Sequence, residues 1–305
     1  MEMKLIIRWE MGIPQWQICK LIREVILSNL PFNFVASIFP LIMNMLIWNC
    51  WGALSPTFCT NASDLVRVYS PAIMIVIETK VSGDKAKRIA KRLPLDGAIF
   101  ANSIGFSSGL WVLWDSNQVD VIELSSTEQE IHAIISSTSK PSRLLFVVYG
   151  SPRFAKIHLL WDNLKSVAGL HSMPWVIEGD FNEVLMGKDK SGGRPISLGK
   201  ALLFQECLDT CKMIDIGFSS PRYTWSNHRP LAHLVQERID RVFVNAEWNG
   251  IHLEAVVFHL EKTHSDHCPV KLCLDNNRNF HPPRPFRFQP MWLSHPSFSR
   301  VVRDA

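Results

Sequence analysis

The chain has 305 residues, of which 47% are hydrophobic and 20% charged, and its net charge is +4. Such a chain can bury a sizeable core, which excludes disorder over most of its length, and the mild positive balance is compatible with nucleic acid as a partner without demanding it. Seven cysteines, an odd count with no CxxC pair, argue against a secreted disulfide scaffold and for a reducing, nuclear or cytoplasmic setting.

Residues 1–43 come first. Val25 to Met43 is mostly apolar, no charge falls between Glu24 and Asp64, and Lys4, Arg8, Lys20 and Arg23 precede the run. That order resembles a signal or membrane segment. Pro31 and Pro40 count against it, since a proline in a helix interior costs about 3 kcal/mol. Asn29 and Asn33 also interrupt the run. Residues 1–43 are therefore read as an apolar extension outside the core, with no membrane partner expected, and the domain is placed at 44–276.

From Met45 onward the pattern becomes short apolar runs between turns. Strands are expected at Leu46–Trp48, Ile73–Ile77, Leu110–Trp114, Val119–Leu124, Ile131–Ile135, Leu144–Val148, Trp175–Ile177, Ile239–Val244, Leu253–Phe258 and Val270–Leu274. They are short and rich in Val and Ile. Helical spacing predicts Lys85–Leu93, Lys156–Ala168 and Gly199–Cys211. No helix interrupts Gly109–Ile135, so hairpins mix with crossover helices, which indicates mixed sheets. Cys207 and Cys211, one helical turn apart, read as core. Pro282, Pro283, Pro285 and Pro290 interleave with Arg284 and Arg287, which marks 277–305 as a linker or tail.

Polar residues gather at the ends of these runs. Asn49 follows the first, Glu78 the second, Tyr149 the sixth, and Asp180 and Asn182 the seventh; Asp240 lies inside the eighth, and Ser265, Asp266 and His267 precede the last. Each has an ordinary reading. Glu78-Thr79-Lys80 fits a solvated turn, Tyr149 a core ring, Asp240 a surface ion pair with Arg238 or Arg241, and Ser265-Asp266-His267 a strand cap. Together they match one reaction. Phosphodiester hydrolysis needs a divalent cation to offset charge, and magnesium takes one or two carboxylates with water. Glu78 supplies the obvious carboxylate, with Asn49 and Asp266 as neighbours. Asp180 suits proton removal from the attacking water, with Asn182 beside it. Asn182, Tyr149 and a protonated His267 supply donors to phosphoryl oxygens, and Asp240 can support the histidine.

The motifs WNCWG (48–52), IVIETK (75–80), VVYGSP (147–152), VIEGDFNEV (176–184), RYTWSN (222–227), ERIDRVFVN (237–245) and HSDHCPV (264–270) occur in that order. In this the chain resembles the endonuclease/exonuclease/phosphatase superfamily, and within it the endonuclease domain of plant LINE-type (non-LTR) retrotransposons. The resemblance spans about residues 44–300. It implies a DNase I-like four-layer α/β sandwich of two packed mixed β-sheets flanked by helices. It implies a magnesium-dependent endonuclease, manganese being able to substitute, that nicks DNA to leave 3′-hydroxyl and 5′-phosphate ends. DNA is the partner; no obligate protein partner is implied. Asn49, Glu78 and Asp266 match metal-side residues, while Tyr149, Asp180, Asn182, Asp240 and His267 match catalytic ones. Thr224 matches a threonine near the substrate. Trp51 stands where the plant elements usually carry arginine, the first 43 residues have no counterpart, and no reverse transcriptase follows. A catalytically silent retroelement remnant or nucleic-acid-binding module stays open as an alternative, as does a phosphatase acting on a small phosphoester.

Overall fold

The computed structural model describes residues 43–101, 109–137 and 140–274. The expectations for residues 1–42 and for the tail at 277–305 lie outside the described residues.

In chain order the elements are β1 (Asn44–Asn49), α1 (Phe58–Tyr69), β2 (Ile73–Ile77), α2 (Gly83–Ala90), β3 (Gly97–Ala101), β4 (Leu110–Trp114), β5 (Asp120–Ser126), β6 (Glu130–Ser137), β7 (Lys140–Tyr149) and α3 (Phe154–Ala168). Then come β8 (Trp175–Asp180), β9 (Lys190–Ser191), α4 (Leu198–Thr210), β10 (Ile214–Asp215), β11 (Trp225–Ser226), β12 (Gln236–Glu237), β13 (Asp240–Val244), α5 (Ala246–Ile251), β14 (Val256–His259) and β15 (Val270–Cys273). The strands form two large sheets, ordered β14-β15-β1-β2-β4-β3 and β10-β13-β8-β7-β6-β5, and a small sheet β11-β12-β9.

Alternation along each strand sorts its residues between two faces. Met45 and Ile47 of β1 face a core between the sheets, shared with Ile75 of β2, Val147 of β7 and Val176 of β8. Trp48, Val76 and Trp111 point the other way, onto Phe58 of α1 and Ala86 of α2. Phe146 and Ile177 point outward from the second sheet onto Trp161 of α3 and Phe204 of α4. The layers therefore run helix, sheet, sheet, helix, as the resemblance implied. Both faces of β2 are covered, and its sequence IMIVI is apolar throughout. Each large side chain buried this way contributes about 1.5–3 kcal/mol of transfer free energy.

Strand direction brings the polar strand ends together. Each large sheet has a single parallel pair, β1 with β2 and β7 with β8. Parallel strands need a crossover, and α1 and α3 supply it. The C-terminal ends of β1, β2, β7 and β8 thus rise at matching edges. β13 and β15 run antiparallel to β8 and β1, so their N-terminal ends arrive at those edges too.

Three local expectations need adjustment. The strand expected at Leu253–Phe258 begins only at Val256: Leu253 is 77% exposed in the turn after α5 and has no core to pack on. Helix α1 and strand β3 were not foreseen. Thr60, Asn61 and Ser63 dilute the helical apolar spacing of Phe58, Ala62 and Leu65, and β3 is the weakly β-forming GAIFA. Met43, assigned to the extension, is buried in the core between the sheets. Among the described residues no helix is long and apolar enough to cross a membrane.

Candidate active site

The site assembles where those strand ends meet. β1 ends at Asn49, which is fully buried. Its amide Oδ1 accepts the Trp51 N–H at 3.1 Å. Its Nδ2 is thereby turned inward, donating to Asp180 Oδ2 at 2.9 Å and Glu78 Oε1 at 3.3 Å and lying 3.4 Å from His267 Nε2. One carboxamide touches three groups from three distant segments of the chain.

Glu78 follows β2 with φ of 53°. A left-handed backbone at a residue with a long side chain costs about 1–3 kcal/mol and persists where neighbours hold it. Here its Oε2 is 3.2 Å from Lys80 Nζ, and its side chain remains 15% exposed.

Asp180 closes β8 and is fully buried. Gly179 before it has φ of 150°, and a Cβ there would lie 2.0 Å from the Val148 carbonyl oxygen. Gly150 is equally constrained, since its Cβ would meet the Phe181 carbonyl oxygen at 2.3 Å. The two glycines let β7 and β8 approach closely at their ends. Asp180 Oδ1 accepts the backbone N–H of Asn182 at 2.9 Å, and Asn182 Nδ2 donates to the Gly150 carbonyl at 2.9 Å. This Asx-type turn holds Asn182 at φ of 50°. Burial, and then the charge of Asp240, push the Asp180 carboxyl up to about 7, against the pull of His267.

Asp240 opens β13 directly opposite Asp180 in the register. It does not pair with Arg238 or Arg241, which bind Asp215 and Asp189 instead. Asp240 Oδ2 lies 2.9 Å from His267 Nδ1, and His267 Nε2 lies 3.8 Å from Asp180 Oδ2. Burial alone would lower the His267 pKa; the charges of Asp240 and then Asp180 override it and raise it to about 9. The carboxylates thus favour the charged imidazole, its Nδ1 fixed by Asp240 and its Nε2 turned toward Asn49 and Asp180.

Tyr149 ends β7 opposite Asp180 and is buried. Burial, followed by the charges of Glu78 and Asp180, holds its hydroxyl far above the ordinary range. It therefore stays protonated, its hydroxyl donating toward Glu78 and accepting from Asn182.

Two expected site residues sit differently. Thr224 has no exposed surface; its Oγ1 accepts the backbone N–H of Ile239 and of Asp240, each at 3.1 Å. It anchors the start of β13 and is not open to substrate. The Asp266 carboxylate is engaged by Trp225 Nε1 at 2.7 Å and Ser265 Oγ at 3.4 Å. Among the described residues no hydrogen bond ties it to Asn49 or Glu78.

Sequence reasoning assigned Ser265 no role beyond a strand cap and did not single out Glu178. Ser265 Oγ donates to the Asn49 carbonyl at 2.7 Å and accepts the His267 N–H at 3.1 Å, locking the last motif onto β1. Glu178, two residues before Asp180, is fully buried with neither carboxyl oxygen hydrogen-bonded. Its signal was a charge inside an otherwise apolar strand.

For a metal, Asp180, Asp240 and His267 each bring a ligand atom within 4.8 Å of the others, the one such group among the described residues. All three are buried, and the protonated imidazole between the carboxylates already compensates their charge. A hard cation that retains water needs a carboxylate that solvent can reach; Glu78 and Asp266 are both half-buried, and Asp266 is already engaged by Trp225 and Ser265. The Asn49 amide presents Nδ2 to Glu78, while its Oδ1 accepts the Trp51 N–H. At the Glu78 carboxylate the Lys80 ammonium, 3.2 Å from Oε2, and the Asn49 Nδ2 donor at Oε1 stand where a divalent cation would have to compete.

Solved structures share the fold. The AP endonuclease LMAP from Leishmania major aligns with a TM-score of 0.63 at 14% identity, over 86% of this chain and 99% of that one. The 3′ phosphatase NExo from Neisseria, bound to product DNA hairpin, aligns with a TM-score of 0.59 at 19% identity, over 76% and 99%. The endonuclease domain of TRAS1, a telomere-specific non-LTR retrotransposon, aligns with a TM-score of 0.58 at 14% identity, over 76% and 98%. No curated protein sequence matches the chain. The model of the endonuclease/exonuclease/phosphatase family matches residues 46–267, and with the strand-end cluster inside that span, the chain belongs to this family.

Proposed function

We propose that the chain is a divalent-cation-dependent phosphodiesterase that nicks DNA, as LINE-type endonucleases do. One observation carries the reading: the Asn49 carboxamide lies within 3.4 Å of Glu78, Asp180 and His267 together. The printed descriptions of the structural neighbours, an AP endonuclease and a retrotransposon endonuclease domain, support DNA as the substrate.

Asp180 takes the proton of the attacking water, its oxygens oriented by Asn49 and Asn182; as the water oxygen bonds to phosphorus the bond to the 3′ oxygen breaks, and that oxygen leaves and takes a proton from solvent to become the 3′-hydroxyl. Charged His267, steadied by Asp240, donates to a phosphoryl oxygen as negative charge builds there, and Tyr149 and Asn182 add neutral donors. Glu78 would hold magnesium, or manganese in its place, which supplies charge neutralisation at the phosphate when bound. Thr224 and Ser265 act on backbone, holding Asp240 and His267 in place. Lys80, whose ammonium lies 3.2 Å from Glu78, sets a positive charge beside the site that can grip a phosphate without reading sequence.

The test is relaxation of supercoiled plasmid by the full chain with magnesium. Asp180→Asn and His267→Gln are each expected to slow nicking at least about a hundredfold in protein that circular dichroism shows to be folded. A folded wild type that nicks nothing sinks the proposal. Because one neighbour is described as a 3′ phosphatase, a 3′-phosphorylated oligonucleotide belongs in the same assay; phosphate release without nicking assigns the site to monoesters.

A further inference from the structure

We infer that Trp51 is a stacking platform for a nucleobase, set at the lip of the active site. The inference rests on the nuclease reading, because the phosphate bound at the site is what brings a base to this rim.

Trp51 is 64% exposed, whereas Trp48, Trp111, Trp175 and Trp248 are 0–2% exposed. Leaving an indole in water forgoes a large burial gain. Trp51 also has φ of 51°, a backbone state that is unfavourable for a bulky side chain and easy for glycine or asparagine. The chain therefore bears two costs at one position, and neither serves the core.

The location says what the ring is for. The Trp51 N–H is bonded to the Asn49 side chain, so the indole is tied to the residue that links Glu78, Asp180 and His267. Lys80 Nζ lies 5.0 Å from the ring centroid and 3.2 Å from Glu78 Oε2. One ammonium thus connects the indole to the cation-binding carboxylate. Lys80 itself has φ of 55°, so both sides of this contact are built on left-handed backbone. Such strain gathers at ligand clamps. A flat π-face beside an ammonium, next to a phosphate-cleaving centre, matches a nucleotide: the base stacks on the ring and the phosphate meets the charge. The bases free to stack are unpaired ones, as in single-stranded, frayed or flipped DNA.

The test measures binding of a fluorescent single-stranded oligodeoxynucleotide, and of the same backbone carrying abasic sites, by anisotropy in EDTA so that nothing is cut. The proteins are the full-length wild type, Trp51→Gly, Trp51→Asn and Trp51→Phe. Glycine and asparagine suit the left-handed backbone, so neither is expected to lower the melting temperature. Both should weaken binding of the base-bearing strand by about tenfold, within the range for one stacked base, and change binding of the abasic strand by less than about twofold. Phenylalanine should recover most of the loss. Equal losses on both strands, no loss on either, or a wild type that binds neither strand would overturn the proposal. A plasmid-nicking assay on the same wild type keeps the two readings apart. Base-dependent binding through Trp51 without nicking refutes the nuclease alone, and nicking with unchanged binding in Trp51→Gly refutes the platform alone.

Discussion

Glu178 offers a direct measurement of the proton economy beneath the site. It lies on β8 between Val147 and Val242 in the register, with no exposed surface and no partner for either oxygen. Burial raises its carboxyl from 4.5 to about 8, so at neutral pH it is folded in as a neutral acid. In the unfolded chain it ionises. The folded value is the higher one, so stability is fully present below the unfolded pKa and is lost as pH rises toward 8. At pH 7 the unfolded carboxylate is about 2.5 units past its midpoint, which at 1.36 kcal/mol per unit favours unfolding by about 3 kcal/mol. At pH 5 the same term is about 1 kcal/mol. Glu178→Gln keeps the shape and cannot titrate. Urea unfolding of both proteins from pH 5 to pH 8 should give a stability difference that widens in the variant's favour by about 2 kcal/mol or more up to pH 7. Every other titrating group cancels in that difference. Parallel curves, with the same offset at pH 5 and pH 8, would mean that Glu178 is charged in the native state and would refute the reasoning.

The nicking rate should rise with pH as Asp180 ionises near 7 and fall as His267 loses its proton near 9. Asp240 raises both values, so Asp240→Asn should move both limbs of the pH–rate profile to lower pH; unmoved limbs would show that Asp240 does not act through His267. Gly179→Ala places a Cβ against the Val148 carbonyl at positive φ and is expected to cost about 3 kcal/mol in urea unfolding. Adding magnesium at a hundredfold excess over its Kd should stabilise the wild type by about 2.7 kcal/mol, read as a rise in Tm that EDTA reverses. Glu78→Gln should lose that rise, and a variant that keeps it would place the cation elsewhere.

Local pattern carried much of this architecture. Runs such as IMIVI and VVY are legible as strands because side-chain direction alternates every residue and both faces are covered. Helices α3 and α4 were legible from their 3.6-residue spacing, and polar residues at strand ends marked candidate chemistry. Phe58, Ala62 and Leu65 show the limit, because three apolar positions among Thr, Asn and Ser become a helix only once a sheet offers them a surface.

By itself the sequence determined which residues could carry a phosphodiester reaction, and that their strands would alternate with crossover helices and hairpins. Only the tertiary structure decided that Asp240 stands opposite Asp180 and turns to His267 instead of to Arg238 or Arg241. Only it made Asn49 the junction of the site, Thr224 a buried anchor and Trp51 an exposed ring beside Lys80. The reason is range: strand pattern is written in neighbouring residues, whereas Asn49 meets Asp180 across 131 positions and His267 across 218. Contacts that distant follow from sheet order and register, which no local periodicity encodes.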